Sequence, residues 1–281
     1  MSVFTRTAIA PLEYTKRLWL RSWIAGVAFF LYAPLLVLFI FSFNDSKANV
    51  VWKGFTFKYY GKVFQNTSLM EALGNSLTIA ALATIFSLVL GALSAVMLWR
   101  FRFPFKAGLE GVMSLPIVVP EICMGVAMLV FFAAIDWPND LPWPLSLSAI
   151  TIAHITFCFP FVTMVVRARL ATFNKEEEEA AKDLGATEWQ AFRDVLLPHM
   201  RPGLIAGALL SFTLSLDDFV ITFFTSGPNT VTFPVKVYSM VRFSVTPEVN
   251  AVSSLLILIT VVLTTLALKL QGKATIAGAH P

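Results

Sequence analysis

The chain alternates long apolar runs with short polar segments, and the long runs have the length of membrane-spanning helices. About 20 apolar helical residues cross a bilayer, and six predicted spans meet that length: residues 23–43, 75–99, 107–135, 145–166, 203–226 and 250–270. The first run is too long for the core of a signal peptide and has no small-residue cleavage site after it, so we expect it to be retained. The pattern therefore predicts an all-α, polytopic transmembrane helical bundle.

Composition excludes most other classes of protein. The chain is 57% hydrophobic and 14% charged, whereas a soluble domain carries about 25% charged residues. Low charge argues against disorder, and two cysteines argue against a disulfide scaffold. Cys123 and Cys158 both lie in apolar runs, so we interpret them as small buried side chains rather than metal or redox groups. We expect no metal site and no nucleic-acid partner.

The basic residues predict the orientation of the spans. If the N-terminus is cytoplasmic, 15 of the 21 Lys and Arg residues fall on the inside and six on the outside, as the positive-inside rule requires. Both termini are then cytoplasmic. We expect a cytoplasmic tail over residues 1–22, a six-span domain over residues 23–270 and a second cytoplasmic tail over residues 271–281.

One predicted cytoplasmic segment, residues 167–202, is long and charged. Asn174 is a good N-cap and is followed by glutamates in the first turn, where the helix dipole favours negative charge. The helix should run to about Leu184, with Gly185 as its C-cap residue. Thr187 and Gln190 have the spacing of a capping box.

A second helix is therefore predicted to begin at once and to end near Pro198. Small residues around the turn leave a surface that another protein can approach closely. The alternative is an amphipathic connector on the lipid surface, for which four consecutive glutamates are a poor match to an anionic leaflet.

This segment resembles the EAA loop of ABC-importer permeases. Glu179-Ala180-Ala181, three residues, Gly185, nine residues and Val195-Leu196-Leu197-Pro198 follow the loop's pattern, with valine in place of isoleucine. The resemblance implies the ABC type I importer permease fold and a short coupling helix after Asp183 that docks into a cytoplasmic ATPase subunit. It also implies a set of ATPase-coupling residues: Glu179, Ala180, Ala181, Asp183, Gly185 and Ala186.

The chain lacks a Gly-x-x-x-x-Gly-Lys-Ser/Thr phosphate loop. ATP and Mg²⁺ should therefore be bound by a partner ATPase, and we expect no cofactor in this chain and no enzymatic activity of its own.

Three acidic residues lie within predicted spans: Glu121, Asp217 and Asp218. A carboxylate at the bilayer centre costs roughly 2.5–3.5 kcal/mol, so such residues usually face a cavity and serve function. Glu121 and Asp217 each lie 14 residues beyond the start of their span, or roughly 21 Å up the membrane if each span is a continuous helix. Matching depth suits a cationic substrate, but adjacent helical residues point about 100° apart, so only one aspartate of the pair can face the same path.

Each acid also has a structural interpretation. Glu121 follows Pro116 and Pro120, so it could bind backbone amides at a helix break. The aspartate pair could bind Arg242 or cap a helix end. Aromatic residues in the region can hold an ammonium group by cation–π contact, namely Phe219, Phe223, Phe224, Tyr238 and Trp143. We interpret His154 as a packing residue. Of these, Phe219 and Tyr238 join the three acids as candidate substrate-pathway residues.

The sequence also predicts helical structure in the outer loop, residues 227–249. Phe233-Pro234 and the apolar residues up to Phe243 predict a short helix or re-entrant piece that closes the outer mouth. Thr246-Pro247-Glu248 then has the pattern of an N-cap, a first-turn proline and an early acid for the last span.

From the first predicted span to about the sixth, the chain is similar to the bacterial polyamine permeases. The segments that carry the similarity are residues 215–221, 226–228 and 246–251, with Arg242, while residues 154–158 and Trp137-Pro138 are more like the putrescine member than the spermidine member. The resemblance implies a multi-pass protein of the bacterial inner membrane. Its implied partners are a second homologous permease, two ATPase subunits and a periplasmic polyamine-binding protein.

The residues leave other functions open. An ion-coupled secondary carrier could use the intramembrane acids as proton sites, but we find no inverted repeat and the cytoplasmic segment would have no purpose. An ABC permease for a different small solute would share the coupling loop. An intramembrane enzyme would need a nucleophile with its base, or a metal cluster, and no motif for either is present.

Overall fold

A computed structural model describes residues 18–46, 51–135, 145–227, 230–243 and 247–277. Within these ranges it contains twelve α-helices: α1 Leu18–Phe41, α2 Lys58–Gln65, α3 Thr67–Arg100, α4 Lys106–Val118, α5 Glu121–Ala134, α6 Leu145–Leu170, α7 Lys175–Asp183, α8 Glu188–Ala191, α9 Leu197–Asp217, α10 Val220–Thr225, α11 Phe233–Phe243 and α12 Pro247–Ala277. A π-helical turn, Phe192–Leu196, joins α8 to α9. The predicted all-α class is confirmed.

Four stretches of helix in the described part are long and apolar enough to cross a membrane: Leu18–Phe41, Thr67–Arg100, Leu147–Leu170 and Glu188–Asp217. The pair α4 and α5 reaches the required length only if both helices are counted as one span. The stretch Pro247–Val262 of α12 is also apolar. Four or five of the six predicted spans thus have a suitable helix. The total of six and the cytoplasmic position of both termini stay predictions.

The core forms where α3, α6 and α9 pack together, and two glycines allow the close approach. A Cβ atom on Gly91 of α3 would lie 2.7 Å from the Cβ of Val162, and one on Gly207 of α9 would lie 3.1 Å from the same side chain. Val162 on α6 is fully buried between them. One larger cluster surrounds this contact: Ala95, Val162, Val166, Leu170, Phe173, Leu196 and Met200.

The third predicted span is broken, so the helix break considered after Pro116 and Pro120 is present, and the straight helix assumed for the depth estimate is wrong. The start of α5 has no side-chain capping hydrogen bond, so the binding of backbone amides expected of Glu121 at such a break is not seen. Helices α4 and α5 meet at 110°. Val119 between them is extended, because the residue before a proline is disfavoured in helical conformation and Pro120 follows. Glu121 consequently begins α5, and the depth of roughly 21 Å expected for it on a straight helix does not apply.

The helix predicted to end near Pro198 instead continues into the membrane segment. The Leu197 N–H donates to the carbonyl of Phe192, five residues back, so a π turn immediately precedes the proline. In a π turn the backbone hydrogen bonds reach back five residues instead of four. This shift accommodates Pro198, which has no N–H to donate. The stretch from Glu188 to Asp217 therefore has no break at Pro198.

Other predictions have mixed outcomes. Cys158 is buried as expected, but Cys123 is exposed, so that part of the prediction is wrong. The short helix predicted in the loop after Gly227 is confirmed as α11. Trp137, Pro138 and Trp143, together with Pro228, Thr246 and most of the tails, lie outside the described residues.

Candidate functional site

Residues 175–191, called the hook below, form two helices joined by a tight turn. Asn174 caps α7, because its Oδ1 accepts a hydrogen bond of 3.1 Å from the Glu176 N–H. Gly185 has a φ of +92°, and a Cβ atom there would meet nothing within 4 Å. Left-handed backbone of this kind favours glycine for conformational reasons alone. The predicted C-cap is thus confirmed.

The second helix of the hook begins with the predicted capping box. Thr187 Oγ1 accepts from the Gln190 N–H at 3.3 Å, and Gln190 Oε1 accepts from the Thr187 N–H at 2.8 Å. Two N–H groups that α8 would leave unsatisfied are paired reciprocally. The turn between the helices is therefore fixed from both sides.

Four charged side chains tie the hook to the end of α3. Arg100 Nη2 lies 2.8 Å from Glu178 Oε1 and 3.0 Å from Glu188 Oε2. Lys182 Nζ contacts the same two carboxylates, at 3.0 Å and 2.7 Å. Isolated surface ion pairs contribute little, but a closed network with one buried member is stronger. Glu178 is that buried member, so the network holds both helices of the hook against α3.

The network also sets the ionisation of its members. Burial opposes ionisation of Glu178, but the hydrogen bonds and charges of Lys182 and Arg100 outweigh it and hold the Glu178 pKa below its usual value. Hydrogen bonds from Lys182 to Glu188 and Glu178 raise the pKa of that lysine. Glu178 and Lys182 are therefore both charged at neutral pH.

Aromatic contacts fix the base of the hook. Phe173 packs edge-on against Trp99, with ring centroids 5.7 Å apart, and against His199 at 5.0 Å. The Lys175 ammonium lies 5.3 Å from the Trp99 ring centre, within cation–π range. Residues of α3, α7 and α9 meet here, so movement of the hook would be passed to two long helices.

The far side of the hook presents apolar side chains. Leu184 is 91% exposed and Trp189 is 66% exposed, with Trp189 stacked on Phe192 at 5.5 Å. The predicted coupling residues lie around them: Glu179, Ala180, Asp183 and Gly185 are exposed, and Ala181 and Ala186 are half-buried. Sequence reasoning did not identify Leu184 and Trp189 as surface residues. An apolar residue before and after a glycine turn, in a segment that is otherwise charged, could have indicated an exposed apolar surface. Exposed apolar groups rimmed by charge are typical of a protein interface.

At the other end of α9 the helix breaks, and Asp218 makes the break. Asp218 is extended, and its carboxylate accepts from both the N–H and the hydroxyl of Thr222 at 2.8 Å and from the Ile221 N–H at 3.3 Å. It thereby caps α10. The helix-end interpretation of this aspartate agrees with these contacts, and Arg242 is not among its partners.

His154 of α6 completes this buried group. Its Nδ1 lies 2.7 Å from Ser215 Oγ, and its Nε2 lies 2.9 Å from Thr222 Oγ1 and 3.3 Å from Asp218 Oδ2. His154 and Asp218 are 2% and 8% exposed. His154 therefore connects three polar groups across α6, α9 and α10, which is more than the packing role expected from the sequence. Buried polar groups need such partners.

Asp217 has the opposite environment from Asp218. Its side chain is exposed, as is that of Glu121, and the Glu121 carboxylate is near enough for the two negative charges to interact. The approach depends on Gly125: a Cβ atom there would lie 2.8 Å from the Phe224 ring and 3.4 Å from the Ile221 Cα. The glycine lets α5 pack closely on α10, the short helix that follows the aspartate pair.

A group of aromatic side chains begins directly after the aspartate pair. Phe219, which follows the aspartate pair, lies 4.7 Å from the Tyr238 ring and 5.6 Å from the Phe223 ring. Tyr238 and Phe223 are 45% and 49% exposed. Glu121, Asp217, Phe219 and Tyr238, called the acid–aromatic site below, combine negative charge with accessible ring faces. Such a set can bind an organic cation.

Comparison with known proteins places the chain in a class. Residues 87–273 match the family described as "Binding-protein-dependent transport system inner membrane component". A chain of a bacterial ABC transporter involved in the import of the acidic polysaccharide alginate has the same fold, with a TM-score of 0.72 at 17% identity over 93% of this chain and 97% of that one. The chain belongs to this family of ABC-importer permease subunits, which are inner-membrane proteins and not enzymes.

Relatives with higher identity have narrower descriptions. The putrescine transport system permease protein PotI of Escherichia coli K12 is 43% identical over 81% of this chain and 82% of its own length. The spermidine/putrescine transport system permease protein PotC of the same strain is 40% identical over 83% of this chain and 86% of its own length. The family resemblance inferred from the coupling-loop and aspartate-pair motifs is confirmed.

Proposed function

We propose that this chain is a permease subunit of an ATP-driven importer that moves a polyamine, putrescine in the first place, across the bacterial inner membrane by alternating access. The observation that carries the proposal is the acid–aromatic site: Glu121 and Asp217 are exposed and near enough for their charges to interact, and Phe219, two residues after Asp217, packs on the Tyr238 ring. The polyamine permeases among the relatives support the same substrate class.

The chemistry of the site suits a flexible diamine. Two carboxylates on separate helices can each pair with one ammonium group, while Phe219 and Tyr238 contact the methylene chain or the ammonium by cation–π attraction. Exposed ion pairs are worth at most about 1 kcal/mol each, so binding would be weak. Weak binding suits a pathway, because the substrate has to leave on the other side.

The hook supports an ATPase as the source of energy. Leu184 and Trp189 are exposed beside the Gly185 turn, and the ion network with Arg100 connects that surface to α3. We propose that an ATPase subunit docks on this surface, and that two such subunits, a second permease and a periplasmic binding protein complete the importer. A proton-coupled carrier would have no use for the hook.

The proposal is tested with the purified importer, reconstituted in proteoliposomes with its binding protein. ATPase activity is measured with putrescine, spermidine and no polyamine, and uptake of each labelled amine is followed with ATP inside or outside the vesicles. We expect putrescine to stimulate ATPase activity more than spermidine does, and uptake to require ATP on the hook side. Uptake that follows a proton gradient and survives without ATP would refute the proposal.

A further inference from the structure

A cavity lies between α4 and α6, and its lining shares no residue with the acid–aromatic site. It has a volume of about 440 Å³, and its lining includes Leu98, Glu110, Ser114, Pro160, Thr163 and Arg167. This volume lies within the range of small-molecule sites, about 300–1,000 Å³. The wall is mixed: apolar side chains, two hydroxyls and one ion pair.

The ion pair is the main polar feature of this cavity. Arg167 Nη2 lies 2.9 Å from Glu110 Oε1, and the two side chains are 44% and 33% exposed. A partly exposed pair of this kind is worth at most about 1 kcal/mol, so another cation can replace Arg167 at low cost. Lys106, which begins α4, donates to the carbonyls of Leu98 and Phe101 and adds a further positive charge nearby.

The cavity lies on the predicted cytoplasmic side of the broken third span. Glu110 is just over one turn into α4, and Arg167 is in the last turn of α6. Glu121 begins α5, beyond the break. The stretch of α4 from Glu110 to Val118 is about 12 Å long at 1.5 Å per residue. One broken segment thus carries an acid on either side of its bend.

We propose that this cavity is a release site for the transported cation, in which Glu110 accepts a substrate ammonium group and Arg167 displaces it. The proposal rests on the proposed function, since it takes an amine as the substrate. Glu110 attracts the amine as it leaves the acid–aromatic site. Arg167 is attached and always charged, so it competes for the same carboxylate at a high effective concentration. The substrate therefore dissociates readily from Glu110 into the cytoplasm, because Arg167 keeps its binding there weak.

The test measures how firmly the complete importer, purified in detergent with its partners, retains labelled putrescine. Arg167→Gln removes the competitor and should increase retention by up to about fivefold, the value of one partly exposed ion pair. It should also make uptake up to about fivefold more sensitive to inhibition by putrescine on the cytoplasmic side. The double variant Glu110→Gln, Arg167→Gln should return both quantities to the wild-type level.

Arg201→Gln, at an exposed position of α9, is the control for loss of one cytoplasmic positive charge and should change neither quantity. Unchanged retention in an assembled Arg167→Gln importer would overturn the proposal, and so would equal retention by the single and double variants. If Arg167→Gln does not assemble, Arg167→Met decides: it keeps a long side chain but loses the charge, and unchanged cytoplasmic inhibition would overturn the proposal. A wild-type importer that does not transport putrescine would instead refute the proposed function.

Discussion

The hook and the break at the end of α9 are both sharp interruptions between helices, but they are built in opposite ways. In the hook, Gly185 turns the chain in open space, and capping groups and ion pairs stiffen it from outside. At the end of α9, Asp218 turns the chain from within, held by His154 and Thr222. The first device leaves Leu184 and Trp189 on the surface. The second buries one acid and leaves its neighbour Asp217 exposed.

The comparison shows how adjacent aspartates can have different uses. Asp218 satisfies backbone N–H groups that a broken helix leaves without partners. Because Asp218 occupies the interior, Asp217 is exposed, and its charge interacts with that of Glu121. The hook and the break at the end of α9 should therefore respond differently to mutation.

The largest effect is expected at the buried break. Asp218→Ala would leave the buried Ile221 and Thr222 N–H groups without their acceptor, and each buried donor left unsatisfied costs about 1–3 kcal/mol. We expect the importer to assemble poorly, measured as the yield of monodisperse complex and its melting temperature. Asp217→Ala is the matched control, because that side chain is exposed. Equal loss of assembly in both variants would contradict the distinction between the two aspartates.

The next effect is expected at the hook. Gly185→Val would force a β-branched residue into left-handed backbone at a cost of about 1–2 kcal/mol, without any clash. We expect ATP hydrolysis to continue while uptake per ATP falls, since the hook would lose its shape. Gly185→Asn is the control, because asparagine tolerates this conformation better. Identical coupling ratios in the valine variant and the wild type would show that the turn does not transmit movement.

The exposed acids should affect transport rather than assembly. Asp217→Asn and Glu121→Gln each remove one charge from the acid–aromatic site, and we expect uptake at low substrate concentration to fall by up to about fivefold, the value of one exposed ion pair. Initial uptake rates over a range of putrescine concentrations measure this. The control is Glu176→Gln, an exposed charge at the start of α7. Normal uptake in both acid variants would assign these carboxylates a purely structural role.

The smallest effect is expected in the ion network. Glu178→Gln keeps the shape of the buried side chain but loses its charge, at a cost of about 1 kcal/mol in stability. The Glu178 pKa is lower in the folded chain than in the unfolded one. Its contribution is therefore complete above the ordinary glutamate range and is lost as pH falls through the lowered value.

The wild type should thus lose its stability advantage over Glu178→Gln on acidification below about pH 4.5, the ordinary value for glutamate. Melting temperatures of both complexes from pH 7 to pH 3.5 test this. A constant difference across that range would exclude Glu178 as the titrating group.

Local signals predicted the hook more completely than they predicted the membrane segments. Asn174, Gly185 and Thr187 act through their nearest neighbours in the chain, so their spacing alone predicts caps and a turn. The sequence did not predict that the helix continues through Pro198. A π turn, whose hydrogen bonds span one residue more than those of an α-helix, accommodates the proline. Composition gives no sign of such a turn.

The breaks in the membrane segments depend on contacts that are distant in the sequence. Pro120 indicates an interruption but not an angle of 110°. Asp218 lies in a run without proline or glycine, and it ends α9 because His154, 64 positions earlier, lies beside it. Periodicity therefore predicts that Asp217 and Asp218 differ in direction, and only packing decides which of them is buried.

The most direct test asks whether an ATPase subunit docks on the hook. Leu184→Asp with Trp189→Asp would place two charges on the exposed apolar surface, where each buried side chain should contribute about 1.5–3 kcal/mol to docking. With Glu177→Gln as the control on the same helix, co-purification of the ATPase subunits and ATP-driven putrescine uptake are measured together. The account predicts that both are lost in the double variant and kept in the control. Full uptake by a double variant that binds no ATPase would contradict it.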